Sequence, residues 1–246
     1  MNRSESFASV DIHAVQCHVS WASLEVRADN VPEMRLLISG SDDDVRDLKI
    51  TVEEGVLSID LGIRERLPNV MGLQWMQIAL RLPSSWRGGL SLHSASGLLS
   101  VSGVQGTDFV LETVSGMVRM DHTRSMTSVV RTVSGSLLIT DHTTRVFRTS
   151  NISGASSIHR LNAESVHITH VAGQTGLEMA SVPATIEGTS VSGGVDLILP
   201  AASVDAALKS VTGKLVTEGL ENREGAPCRI RMTTVTGGLR VVGSHT

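Results

Sequence analysis

Through the last two-thirds of the chain, hydrophobic and polar residues alternate in a pattern that keeps restarting. A small-residue-plus-glycine tetrad recurs as SASG ending at Gly97, TVSG at Gly116, TVSG at Gly135, NISG at Gly154, HVAG at Gly173, SVSG at Gly193, SVTG at Gly213 and TVTG at Gly237. The intervals are 19, 19, 19, 19, 20, 20 and 24 residues, the signature of a repeat architecture. Seven and five residues before the glycine stand pairs such as Leu90 and Leu92, Phe109 and Leu111, Val166 and Ile168, and Ile230 and Met232. Two and four residues after it stand Leu99 and Val101, Val118 and Met120, Leu137 and Ile139, Val195 and Leu197, and Leu239 and Val241. Apolar residues two apart indicate strands, so each repeat reads as strand, corner, strand, turn.

The residue two before each glycine is also apolar or Ala: Ala95, Val114, Val133, Ile152, Val171, Val191, Val211 and Val235. Read as inward, these residues require the apolar parity to slip by one, with a bend that re-aims the inward face. The glycine then serves a positive φ or a close backbone approach.

Identical repeats pack most economically coil upon coil, with parallel ladders and equivalent residues stacked. The predicted fold is all-β, a right-handed parallel β-solenoid (β-helix) with coils of about 19–20 residues, its hand following from the crossover rule. Residues 86–246 form the solenoid repeats. Residues 1–85 lack the tetrad but still alternate, as in SLEVRA, RLLISG, DLKITVEE and GVLSIDL, and are expected to form an irregular N-terminal β cap continuous with the stack. In this cap GSDDD, Gly40 to Asp44, reads as a polar turn, and no helix is expected. The long last interval contains GLENREGAPC, read as a surface loop over about residues 219–226.

Composition narrows the possible functions. Aromatic content is 2%, and three Trp and three Phe occur with no Tyr, which weighs against stacking platforms for sugars or single-stranded nucleic acid. Trp21, Trp75 and Trp86 fall in or beside the cap and are expected to fill its core. Net charge is −4, and residues 91–246 carry 12 acidic and 12 basic side chains, so no basic stripe follows a phosphate backbone. Neither nucleic acid nor direct membrane insertion is expected. Cys17 and Cys228 are the only cysteines and form no ligand spacing. No signal-peptide core precedes the repeats, so the expected location is cytoplasmic, with membrane association through a partner.

The residues nearest to a metal site are two DHT triplets, Asp121 and His122 with Thr123, and Asp141 and His142 with Thr143. Stacked at coil spacing they would bring two imidazoles and two carboxylates together; the competing reading is polar turn residues, and no cofactor is expected. His167 and His170, an odd number of residues apart, belong on opposite faces. Asp42, Asp43 and Asp44 lack calcium-loop spacing, Gly213-Lys214 lacks the rest of a P-loop, and no GxSxG elbow occurs.

The segment DLKITVEEGVLSIDL, the lead-in IALRLPSSWRGGLSLHSASG and the serial xVSGxVxV repeats together resemble the bacterial putative-adhesin family of β-strand-repeat proteins, a domain of unknown function (4097) similar to auto-transporter adhesin head domains. The resemblance covers nearly the whole chain. It implies the β-solenoid and no catalytic residues. The expected function is a non-enzymatic scaffold linked to the cell envelope, binding other proteins through its surface and edges. The alternatives are a bactofilin-like filament or oligomer, pairing end to end through a last coil ending GLRVVGSHT, and a polysaccharide-active β-helix enzyme. The last lacks paired carboxylates at coil spacing.

Overall fold

The computed structural model describes residues 1–61, 76–201 and 203–244; Trp75 lies outside them. The N-terminal third holds β1 (Asn2–Phe7), β2 (Ala14–Asp29), β3 (Met34–Ser39), a short helix α1 (Asp42–Asp47), β4 (Lys49–Glu53), β5 (Val56–Asp60) and β6 (Met76–Pro83). The repeats begin with β7 (Gly89–Ser96), β8 (Leu98–Ser102), β9 (Asp108–Thr113), β10 (Met117–Arg124) and β11 (Thr127–Thr132). They continue through β12 (Ser136–Ser153), β13 (Ser156–Ala172), β14 (Thr175–Met179), β15 (Thr185–Ser192) and β16 (Val195–Leu199). The chain closes with β17 (Ser203–Ser210), β18 (Leu215–Glu218), β19 (Glu221–Asn222), β20 (Arg229–Thr236) and β21 (Leu239–Gly243).

Two parallel ladders run through the repeats, one on each side of the corner glycines. In the first, β7 pairs with β9, β9 with β11, β11 with the second half of β12, and that with the second half of β13 and then β15. In the second, β8 pairs with β10, β10 with the first half of β12, that with the first half of β13, β13 with β14, and β14 with β16. The register advances one repeat per rung, as in Phe109 opposite Leu90 and Met117 opposite Leu98. Their inward residues, among them Leu92, Val101, Leu111, Val118, Phe147, Ile168 and Leu197, form one continuous buried core.

Both ends of the stack depart from chain order. The long β2 supplies a whole coil: its first half lies between β5 and β7, and its second half between β6 and β8. Antiparallel strands close this end, β4 on β5, β3 on β6 and β1 on β3. At the other end β20 sits between β15 and β17, and β21 between β16 and β18. The coil at the end of the stack is therefore β17–β18. Within GLRVVGSHT, expected at the terminal edge, β21 is paired on both sides.

The corner glycines record the same order. A Cβ on Gly97 would overlap the Ala22 carbonyl oxygen. One on Gly116, Gly135, Gly154, Gly173 or Gly193 would overlap the oxygen of the tetrad glycine one repeat earlier, one on Gly237 that of Gly193, and one on Gly213 that of Gly237. Close approach between coils is thus the common requirement at these positions.

Three expectations need correction. The apolar parity does not slip before the tetrad: Phe109, Leu111 and Thr113 are all buried, while Val114 is exposed. The inward file continues into the first residue of the tetrad, and the chain turns only after it. GSDDD is the start of α1, not a plain turn, because the Ser41 hydroxyl accepts the Asp44 N–H at 3.2 Å and three aspartates occupy the positive end of the helix; Val45 is buried beneath it. Trp86 does fill the core, its indole donating to the Ile12 carbonyl at 2.8 Å, but Trp21 is 47% exposed.

Candidate functional site

The two DHT triplets lie 20 residues apart, whereas β10 and β12 pair with an offset of 19, Thr123 standing opposite His142. One residue of mismatch moves a side chain to the other face. His142 is fully buried, and His122 is exposed.

Inside, the His142 Nδ1 lies 3.1 Å from the Thr123 carbonyl and 2.8 Å from its hydroxyl, and Nε2 lies 2.8 Å from the Ser128 hydroxyl. A carbonyl only accepts, so Nδ1 carries the proton and Nε2 accepts from Ser128. Ser125 extends this buried chain to Ser128 and Thr144, and the imidazole meets Phe147 edge-on at 6.0 Å. Burial pushes the His142 pKa down to about 4, against the opposing backbone hydrogen bond, which keeps the ring neutral.

Outside, His122, Asp141 and Arg160 take φ of 50°, 53° and 55°, one left-handed residue at the same bend of three successive coils. His122 lies 2.9 Å from Asp121 and 3.3 Å from Asp141, and Asp141 lies 2.7 Å from Arg160. These side chains form a surface charge ladder separate from His142. Among the described residues no three His, Cys, Asp or Glu side chains group to hold a metal ion.

His167 points outward, 3.4 Å from Glu187, and His170 points inward. His170 belongs to a buried polar file absent from the sequence reading: Ser94, Thr113, Thr132, Asn151, His170, Ser190 and Thr234. Some members cap the corner, Thr132 and Thr234 each accepting the N–H of the glycine three residues on at 2.9 Å. His170 stands between Asn151 and Ser190 in register, neither ring nitrogen has a hydrogen-bond partner among the described residues, and burial lowers its pKa. The polar first residue of every tetrad was the available signal.

The tetrad's apolar residues stand outside. Val114, Val133, Ile152, Val171, Val191 and Val235 are 40–51% exposed and Val211 is 78% exposed, forming one file along an edge of the stack. Beside them, Ser134, Ser153, Ser192 and Thr236 turn their hydroxyls to carbonyls of Val114, Val133, Val171 and Val191 in the neighbouring coil at 3.3–3.4 Å. The hydroxyls are used within the stack, and the methyl groups face solvent.

At the opposite bend lies a groove of about 530 Å³ lined by Arg124, Arg145, Asn162, Glu164, Ser181 and Val182 among others. Its mixed charge selects no one ligand class. Cys17 and Cys228 are free and buried, and burial raises their thiols to about 12 and about 11, with Asp60 adding to the effect at Cys17. Thiolate chemistry is therefore suppressed at both. No helix among the described residues is long and apolar enough to cross a membrane.

Residues 12–225 match the family model described as Toastrack DUF4097. Among solved structures, a putative adhesin from Bacteroides fragilis is similar at 12% identity and TM-score 0.65, over 98% of this chain and 97% of that one. A putative adhesin from Parabacteroides distasonis is similar at 13% identity and TM-score 0.66, over the same shares of 98% and 97%. A putative lipid binding protein from Parabacteroides distasonis is similar at 12% identity and TM-score 0.59, over 97% and 96%. At these identities the likeness establishes a common all-β, toastrack-like fold. No curated protein matches the chain.

Proposed function

From the chain's membership of the Toastrack DUF4097 family, we propose that it is a non-enzymatic, adhesin-type scaffold that binds proteins along one edge of a right-handed β-solenoid. The observation that carries this reading is the file of exposed Val and Ile residues from Val114 to Val211. Apolar residues aligned in this way are a candidate protein contact, and the parallel ladders beneath them hold them rigid, so little side-chain entropy opposes binding. The names of the structural relatives, two of them putative adhesins, agree with a role in adhesion. In this role the scaffold acts at the cell envelope, held there by its partner.

The test compares the folded chain with a Val133→Asp/Val171→Asp variant in capture experiments from bacterial envelope extracts. The expected result is a protein retained by the unmodified chain and lost from the variant, whose circular dichroism is unchanged. Equal capture by both would place binding elsewhere on the molecule.

A further inference from the structure

We propose that two copies of the chain join as a two-fold dimer by antiparallel pairing of β18 with β18, centred on Val216. The inference does not depend on the apolar edge, which lies at the corner of the stack.

The two ends of the stack differ. Antiparallel strands cover the first coil, and the outermost of them carry Arg3, Glu5, Lys49 and Glu53, charged residues of the kind that discourage further strand pairing. At the other end the cover is partial. β19 pairs with Ser203 and Val204 of β17, and the Asn222 amide accepts the Ala206 N–H at 2.9 Å and donates to the Ala206 carbonyl at 3.0 Å. The 219–226 segment thus occupies the outer side of the first half of β17. Among the described residues β18 pairs only with β21, and its Leu215, like Leu208 of β17 and Leu220, is half-buried against the core.

The pairing with β21 fixes which backbone groups of β18 remain. The Leu239 N–H donates to the Lys214 carbonyl at 3.0 Å, and Leu215 stands opposite Leu239. In a parallel ladder this geometry turns the N–H and C=O of Leu215 and Thr217 away from β21. Antiparallel registers centred on Leu215, Val216 or Thr217 are compatible with those donors and acceptors. Only the one centred on Val216 pairs Leu215 with Thr217 of the second copy twice, closing four hydrogen bonds. The same register places Lys214 opposite Glu218 twice. Both are exposed on the outer face, Lys214 has no ion pair among the described residues, and Glu218 is held by Arg240 at 2.7 Å. The edge is complementary to itself in backbone and in charge, and a two-fold axis closes the assembly instead of propagating it.

Sedimentation and oxidative cross-linking test this together. The unmodified chain is expected to sediment as a dimer. Lys214→Glu sets Glu against Glu at both sites and should weaken the dimer about tenfold or more, while Lys214→Glu/Glu218→Lys restores opposite charges and should recover it. Val216→Cys, the two copies' residue 216 facing each other in a non-hydrogen-bonded pair, should form a disulfide-linked dimer; the native cysteines are buried and do not compete. Circular dichroism and melting temperature establish that each variant is folded. A monomer at all concentrations, a dimer insensitive to Lys214→Glu, absence of the Val216→Cys cross-link, or open-ended filaments by electron microscopy would each overturn the proposal.

Discussion

At the residue scale the tetrad reverses the simplest hydrophobic reading. Val114 is apolar and exposed, while Thr113 before it is polar and buried. The reason is local: the chain must turn at the glycine, and the hydroxyl at the first position supplies an acceptor for the glycine N–H, as Thr132 does for Gly135, a bond worth more inside than in water. The strands were legible in the sequence because their alternation is independent of the turn; the corner was not, because a hydrogen bond there outweighs side-chain polarity. Gly135 tests the close approach. A Cβ at this position would overlap the Gly116 carbonyl oxygen, so Gly135→Ala should lower unfolding free energy by about 1–3 kcal/mol, measured by urea denaturation.

His142 supplies the second residue-level prediction. Burial depresses its pKa in the folded state to about 4, from the ordinary imidazole value of 6.5. The unfolded chain therefore binds a proton first as pH falls, and the stabilisation present above about pH 6.5 is lost progressively towards pH 4. A depression of this size corresponds to on the order of 3 kcal/mol. Thermal melts across this window should show a falling midpoint. His142→Asn should reduce the slope without abolishing it, because burial lowers the His170 pKa too.

At the element scale, what was legible followed local spacing and what was hidden depended on distant pairing. The DHT copies 20 residues apart in a stack whose rungs advance by 19 already carried the information that their histidines are not equivalent. In AVQCHVSWASLEVRAD the buried positions change parity between Val19 and Ala22, where β2 passes from one ladder to the other, but nothing local indicates which distant strands flank each half. The 24-residue interval before Gly237 marked a longer excursion, although only pairing reveals that the excursion carries the last strands back inside the stack. Asn222 is comparably hidden. It looks like a loop residue, yet its side chain takes both backbone bonds that a further strand would have made at Ala206.

At the scale of the whole molecule, the structure is a parallel stack with one end closed by antiparallel strands and the other partly open. Removing residues after Cys228 takes away more than the last coil, because β17 and β18 reach the rest of the stack through β20 and β21. The expected outcome is release of everything after β16. In limited proteolysis a chain ended at Cys228 should be trimmed back to about residue 200, whereas the intact chain resists cleavage there. Protection of β17 and β18 in the shortened chain would contradict this account.

The position of β20 and β21 also bears on when the molecule can be completed. A ribosome makes β17 and β18 before the strands on which they rest, so that coil must wait, unpaired on its inner side, until β20 and β21 emerge. The same delay occurs at the start, where β2 is made long before β7 and β8 arrive to flank it. Synthesis can therefore complete the first end once β8 has emerged, the middle of the stack next, and the far end only with β20 and β21. The C-terminal hairpin of coils works as a latch, and a translation product interrupted before β20 and β21 would carry an unlatched end.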